Sequence, residues 1–188
     1  YEVLQKNTSV GMVLCDYQIN NLISKNKRYV SMRLYCENFK KNILLSPGPF
    51  LQCILIRKKL LLNMNQVFDS RAVPSEDWDF FINLSKQEMV VGHINKSLFV
   101  WNFSKQSQSN NLFKETQSIQ YIIKKHKNYI IKNSSEKKLS ILYRKLAHMY
   151  MRNNDIKESK KNYGIALSFH CLSLKNIIFF IISYLGGH

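Results

Sequence analysis

The chain has 188 residues, 45% of them hydrophobic, with only 6 Gly and 3 Pro; this is enough apolar material for a buried core, and it excludes collagen-like, low-complexity and linker-dominated chains. Lys and Arg outnumber Asp and Glu by 28 to 12, a net charge of +16. The basic residues fall in short pairs such as Lys58-Lys59, Lys137-Lys138 and Lys160-Lys161, without the aromatic-interleaved block that single-strand binders use, so no nucleic-acid partner is expected. The four cysteines, at 15, 36, 53 and 171, have no CxxC spacing, which argues against a zinc ribbon or a disulfide framework and suits free thiols in a reducing cytosol.

In chain order, residues 1–6 resemble the tail of a helix running into a strand. Residues 10–17 (VGMVLCDY) are a short apolar run, the pattern of a buried strand. Residues 28–35 alternate loosely and read as a second strand. A helical patch over 37–45 ends at the loop punctuation Ser46-Pro47-Gly48-Pro49. Residues 50–56 (FLQCILI) form a further apolar strand, 57–64 one or two helical turns, and 65–74 a polar loop. A helix follows over 76–86. Ser75 stands at its N-cap position, and Glu76 and Asp77 lie in the first turn, where acidic side chains favour the helix dipole. Residues 89–94 and 98–103 read as a hairpin turning at Asn95-Lys96, followed by polar loop.

From residue 112 the periodicity turns helical, over 112–133, 136–152, 155–168 and 173–185, with breaks at Asn133-Ser134-Ser135, Asn153-Asn154 and 168–173. The charge shifts with it: 15 of the 28 basic residues but only 4 of the 12 acidic ones lie beyond residue 99. The expected fold class is α/β, with a mixed part over residues 1–110 and an all-helical tail over 111–188. The final segment NIIFFIISYL, residues 176–185, is shorter than the about 20 residues a spanning helix needs. It reads as a helix docked on its neighbours, or as a membrane-surface helix aided by the surrounding positive charge.

The densest polar signal is Ser75-Glu76-Asp77-Trp78-Asp79-Phe80-Phe81, three carboxylates within four residues at a helix start. A hydroxyl is a poor nucleophile until a base takes its proton, and a positioned carboxylate contributes about 10²- to 10⁴-fold. First-turn acids also stabilise a helix by about 0.3–1 kcal/mol each. Spacing alone leaves both readings open. His93, in the first hairpin strand, reads as a packed or surface residue, and His126, His148 and His170 are too dispersed for a metal site.

The surroundings of the acidic cluster carry a resemblance. Ile54-Leu55-Ile56-Arg57 is a strand ending in a basic residue, and Asn65-Gln66-Val67-Phe68-Asp69-Ser70 stands where a Gly-Gly-Phe-Asp-Glu-like turn belongs. The Glu-Asp-Trp-Asp helix start at residues 76–79 follows, and Val100-Trp101-Asn102 matches a "Leu-Tyr-Arg" strand. In this order and spacing, residues 8–105 resemble the acceptor-side half of family 2 glycosyltransferases. The resemblance implies a partial GT-A (Rossmann-like) sheet. It also implies inverting transfer from a nucleotide-sugar donor to a glycan or lipid-linked acceptor, as in cell-surface polysaccharide biosynthesis.

By the same resemblance Asp77 is the catalytic base, and Glu76 contacts the acceptor or orients the base. Trp78 and Trp101 are substrate-binding positions, with packing against the sheet as the competing role for Trp78; Asp79 is a solvated or helix-supporting residue. A divalent metal, Mg²⁺ or Mn²⁺, is implied for the complete enzyme, with its ligands mostly in the nucleotide-binding half. Asp77-Trp78-Asp79 spells a DxD, but inside a helix, whereas the family's metal motif follows a strand. The start YEVLQKNTSVGMVL has no initiator Met and no signal peptide. The chain is therefore expected to be a fragment or a truncated product that lacks the family's nucleotide-binding half, and to be inactive alone. The expected location is cytoplasmic, with peripheral contact to an anionic membrane at its inner face. The alternative is a non-catalytic binding or scaffold module derived from a truncated glycosyltransferase.

Within the tail, Tyr143, Leu146, Ala147, Tyr150, Ser159, Tyr163 and Ala166 resemble one tetratricopeptide-type helix pair. One such pair cannot bury its own faces and must pack on its neighbours. It reads as a structural cap, or as a partner- or membrane-docking element.

Overall fold

A computed structural model of the chain describes residues 1–104 and 111–185. The fold is α/β, a four-stranded mixed sheet followed by a helical C-terminal region. Two compact units divide the chain: Tyr1–Ser70 with Glu76–Asn110, and Arg71–Ser75 with Asn111–His188.

In the first unit, α1 (Glu2–Lys6) leads into β1 (Val10–Asn21), the strand on which the sheet is built. Residues 10–17 of β1 are all buried, so both faces are covered and the strand reads as a continuous apolar run rather than an alternation. Three partners flank it. β2 (Asn26–Val30) runs antiparallel beside residues 17–21, and β3 (Ile54–Ile56) antiparallel beside residues 12–14. β4 (Val90–Phe103) runs parallel along the length of β1. Parallel neighbours need a long crossover; here it carries α2 (Arg33–Glu37), α3 (Phe39–Ile43), β3, α4 (Lys58–Leu62) and α5 (Glu76–Leu84).

Three sequence expectations change. Residues 28–35 are not one strand, because β2 stops at Val30 and α2 begins at Arg33. The run over 50–56 opens with a 3₁₀ turn (Leu51–Cys53), and only its last three residues pair. The hairpin over 89–103 is a single 14-residue strand, β4. Its register against β1 jumps from Cys15–Ile94 to Asp16–Ser97 and then to Tyr17–Phe99. Asn95 and Lys96, the expected turn, are therefore surplus residues of a bulge, and Leu98 is a third. A polar dipeptide interrupts an apolar run in the same way whether the chain reverses or bulges, and the parallel partner β1 decides which.

Several contacts set the helices on this sheet. α5 is almost wholly buried through Trp78, Phe80, Phe81, Ile82 and Leu84. Phe81 meets Phe39 of α3 edge-on at 6.0 Å, and Phe80 stacks on Phe68 at 5.4 Å. The Arg57 guanidinium donates to Val10 O (2.7 Å), Asn7 O (3.1 Å) and Leu4 O, which pins the chain entering β1. Gly11 lies where a Cβ would meet Leu60 Cδ1 at 2.8 Å and Met89 Cβ at 2.9 Å, so the close packing on β1 there needs a glycine.

The second unit contains α6 (Leu112–Asn133), α7 (Glu136–Arg152), α8 (Ile156–Phe169) and α9 (Leu174–Leu185), each within about a residue of its expected bounds. Three of them start on side-chain caps: Asn111 accepts from Lys114 N, Ser135 from Lys138 N and Asp155 from Glu158 N. All seven residues of the expected helix pair, from Tyr143 to Ala166, are buried. Ser140 donates to Ala166 O (2.7 Å), and Asn176 Nδ2 donates to Ser140 Oγ (2.7 Å), tying α7, α8 and α9 together. Ser75, just before α5, accepts from Ser118 Oγ of α6 at 2.8 Å. Among the described residues no helix is long and apolar enough to cross a membrane.

Candidate functional site

The first turn of α5 holds the acidic cluster. Asp77 is half-buried, and its Oδ2 accepts from Leu51 N at 3.3 Å. Burial pushes its carboxyl above the ordinary value; the Leu51 N–H opposes that push, and the neighbouring Glu76 charge adds to it. Glu76 Oε2 is buried with no hydrogen-bond partner. The cluster thus offers one carboxylate with raised basicity and, beside it, an acceptor oxygen with nothing donated to it.

The other two residues of the motif face inward. Trp78 is 2% exposed, and its indole N–H donates to Ile43 O at 2.7 Å. Its ring and its donor are both committed to the core, so of its two expected roles it takes packing. Asp79 is 1% exposed and accepts from Asn83 Nδ2 at 3.3 Å. It supports the helix and is not solvated.

Trp101 lies elsewhere on the same unit, on β4. Its ring stands 5.0 Å from Phe50 and 5.5 Å from Phe103. Phe50 also meets Tyr17 at 5.2 Å and Phe99 at 5.9 Å. The chain then turns from Phe50 into Leu51, whose N–H holds Asp77. One dipeptide therefore links Asp77 to Trp101. Trp101 and Phe103 form the aromatic side of a groove of about 370 Å³, with Asn21, Ser24, Asn26 and Arg28 on its polar side. Flat rings opposite carboxamides and a guanidinium suit a ligand that is apolar on one face and hydroxylated on its rim.

A second cluster was not anticipated. Asp16 is fully buried on β1, and its carboxylate accepts from Met32 N (2.7 Å), from His93 Nε2 (2.7 Å) and from the Tyr29 hydroxyl. Burial alone would raise its pKa. The hydrogen bonds from Tyr29, His93 and Met32 outweigh that and hold it below the ordinary value. The bond to Asp16 in turn raises the Tyr29 phenol. An ionised carboxylate only accepts, so Nε2 of His93 carries the proton. His93 is thus a packed histidine locking β4 to β1, while Tyr29 and Met32 bring in β2 and the start of α2. One signal for this was present: an acid at the end of a fully apolar strand must find partners when buried. Burial pushes the thiols of Cys36 and Cys53 up to about 12, so both are neutral and unreactive at physiological pH.

Among the described residues no three His, Cys, Asp or Glu side chains come together as a metal site. Asp77 and Asp79, the literal DxD, hold different partners. These residues do not fit a metal centre, and the expected Mg²⁺ or Mn²⁺ remains an implication of the resemblance alone. No family model, no curated protein and no solved structure matches the chain.

Proposed function

We propose that the chain is the acceptor-side part of an inverting glycosyltransferase that moves a sugar from a nucleotide donor to a glycan or lipid-linked acceptor. The observation that carries this reading is Asp77: a half-buried carboxylate in the first turn of a rigid, buried helix, with its basicity raised by burial. In the proposed step Asp77 takes the acceptor hydroxyl proton while that oxygen attacks the anomeric carbon. The bond from that carbon to the nucleotide diphosphate breaks with its electron pair, and configuration inverts. Raised basicity favours this, because a general base works best as its pKa approaches the working pH. Glu76, beside Asp77 in the same first turn, contacts the acceptor or orients the base. Trp101, beside Phe50, supplies a flat face for the sugar ring. Donor binding and any metal belong to the expected nucleotide-binding half.

The test is sugar transfer from a panel of nucleotide sugars, measured with the product of the entire reading frame. Asp77→Asn is expected to lower kcat by about 10²- to 10⁴-fold, the worth of a general base, with the circular dichroism spectrum intact. Unchanged turnover in that variant would remove Asp77 from the chemistry. Absence of transfer by the wild type across the panel would favour the non-catalytic scaffold.

A further inference from the structure

The helical tail holds a cavity with unspent hydrogen-bonding groups. Arg144, Lys145 and His148 of α7, Tyr163 of α8 and Phe179 of α9 line a space of about 250 Å³. Two of these side chains carry buried polar atoms with no partner: Arg144 Nε and the Tyr163 hydroxyl. Tyr163 is 1% exposed, and its ring stacks on Phe179 at 5.9 Å with an interplanar angle of 5°. A buried polar group left without a partner is costly, so two in one cavity call for an occupant. The lining specifies its chemistry. Arg and Lys only donate, burial keeps the Tyr163 phenol protonated and donating, and among the described residues no carboxylate lines the space. Such a set fits an acceptor-rich anion.

The neighbouring helix identifies the source of that anion. α9 packs Phe179 inward but leaves much of its apolar surface outside. Its polar Asn176 and Ser183 are buried at 2% and 4%, while Leu174, Ile178, Ile181, Ile182 and Tyr184 are exposed. Leu174, Ile178, Ile181 and Ile182 repeat at i, i+4, i+7 and i+8, one continuous stripe. Ile182 lies one turn from Phe179, so the stripe borders the cavity. Basic residues rim it: Lys175 on α9, Lys145 at the cavity and Lys160, whose ammonium sits 4.8 Å from the Tyr184 ring centroid. An apolar stripe with a cationic margin matches the boundary between acyl chains and anionic headgroups.

We propose that the tail is a lipid-phosphate site: α9 lies in the membrane interface with its isoleucine stripe among the acyl chains, and the phosphate of an anionic lipid enters the cavity between Arg144 and Tyr163. This stands independently of the glycosyl-transfer reading.

The test is co-sedimentation with phosphatidylcholine vesicles, plain or doped with phosphatidic acid, at physiological ionic strength. The wild type is expected to bind the doped vesicles and not the plain ones. Tyr163→Phe removes one hydroxyl and no charge, so general attraction between a basic protein and an anionic surface is untouched. It is expected to weaken partition by about tenfold, the worth of one hydrogen bond to a charged group. Arg144→Gln is expected to do the same, whereas Lys27→Gln, the same charge removed from β2, should change partition less than about twofold, as one screened surface charge does. Arg144→Gln carries the test if the phenylalanine variant does not fold. Partition of both cavity variants equal to the wild type overturns the site. A melting temperature raised by inorganic phosphate, without binding to doped vesicles, overturns the lipid assignment in favour of a soluble phosphate compound.

Discussion

Asp16 and Asp77 are both acids taken from water, and their surroundings push them in opposite directions. Asp16 meets three donors and is held below its ordinary 3.8; Asp77 meets one donor and a like charge, and is raised. The native state therefore binds a proton at Asp77 more tightly than the unfolded chain does. Its ionisation weakens the fold as pH rises above 3.8 through the native value, and the penalty is in full force at neutral pH. Asp77→Asn is accordingly expected to raise the melting temperature at neutral pH and to leave it unchanged near pH 3. A melting temperature lowered at neutral pH would show that the bond from Leu51 N outweighs burial. Asp16 works the other way. Its contribution is complete above 3.8 and is lost as pH falls below that through the depressed native value. Asp16→Asn leaves Tyr29, His93 and Met32 N sharing a poorer acceptor, and urea denaturation at neutral pH should show a loss of about 2 kcal/mol or more. Stability within about 0.5 kcal/mol of wild type, the range of an ordinary surface change, would mean the cluster does not lock the sheet.

β1 and β4 show how the elements depend on one another. β4 is one strand only because β1 offers it a parallel edge over its whole length, and the irregularity that spends Asn95, Lys96 and Leu98, an odd number of residues, sets the phase of the two strands beyond it. That phase sends Trp101 and Phe103 to the groove side with Ile19 and Asn21. A slip of one residue would send them to the other face. At the opposite end of β1, Gly11 admits Leu60 and Met89. Gly11→Ala is expected to destabilise by about 1–3 kcal/mol, the cost of overpacking a filled site. An alanine variant melting within a degree or two of wild type would mean that the Leu60 and Met89 side chains move aside. α9 makes the complementary point. It is helical by periodicity, yet its periodicity does not say which face is turned inward, because Asn176 finds three acceptors on α7, α8 and the loop before α9, and is drawn inside.

Across the whole molecule, 28 basic residues against 12 acidic ones leave few counter-charges, and acid removes those few. Below about pH 4, where carboxylates protonate, the melting temperature is expected to drop and then to recover partly when salt is added, since screening relieves repulsion between exposed charges. A drop that salt does not reverse would assign the acid sensitivity to Asp16 rather than to net charge. The reach of the sequence follows the range of the forces involved. The four tail helices and their ends were legible, and so were the buried faces of α7 and α8, because caps such as Asn111, Ser135 and Asp155 act on the next turn and a helix repeats its own pattern. The apolar run of β1 and the acidic start of α5 were legible for the same reason. The single strand β4, the His93–Asp16–Tyr29 cluster and the cavity between Arg144 and Tyr163 were not. Each joins residues brought together from distant parts of the chain, and the favourable bond or the uncompensated atom exists only after the elements have packed. The sequence by itself determined where the helices and the apolar strands form; which edge, face and donor each polar side chain meets was decided only by tertiary structure, because pairing and burial are properties of neighbours and not of neighbouring positions in the chain.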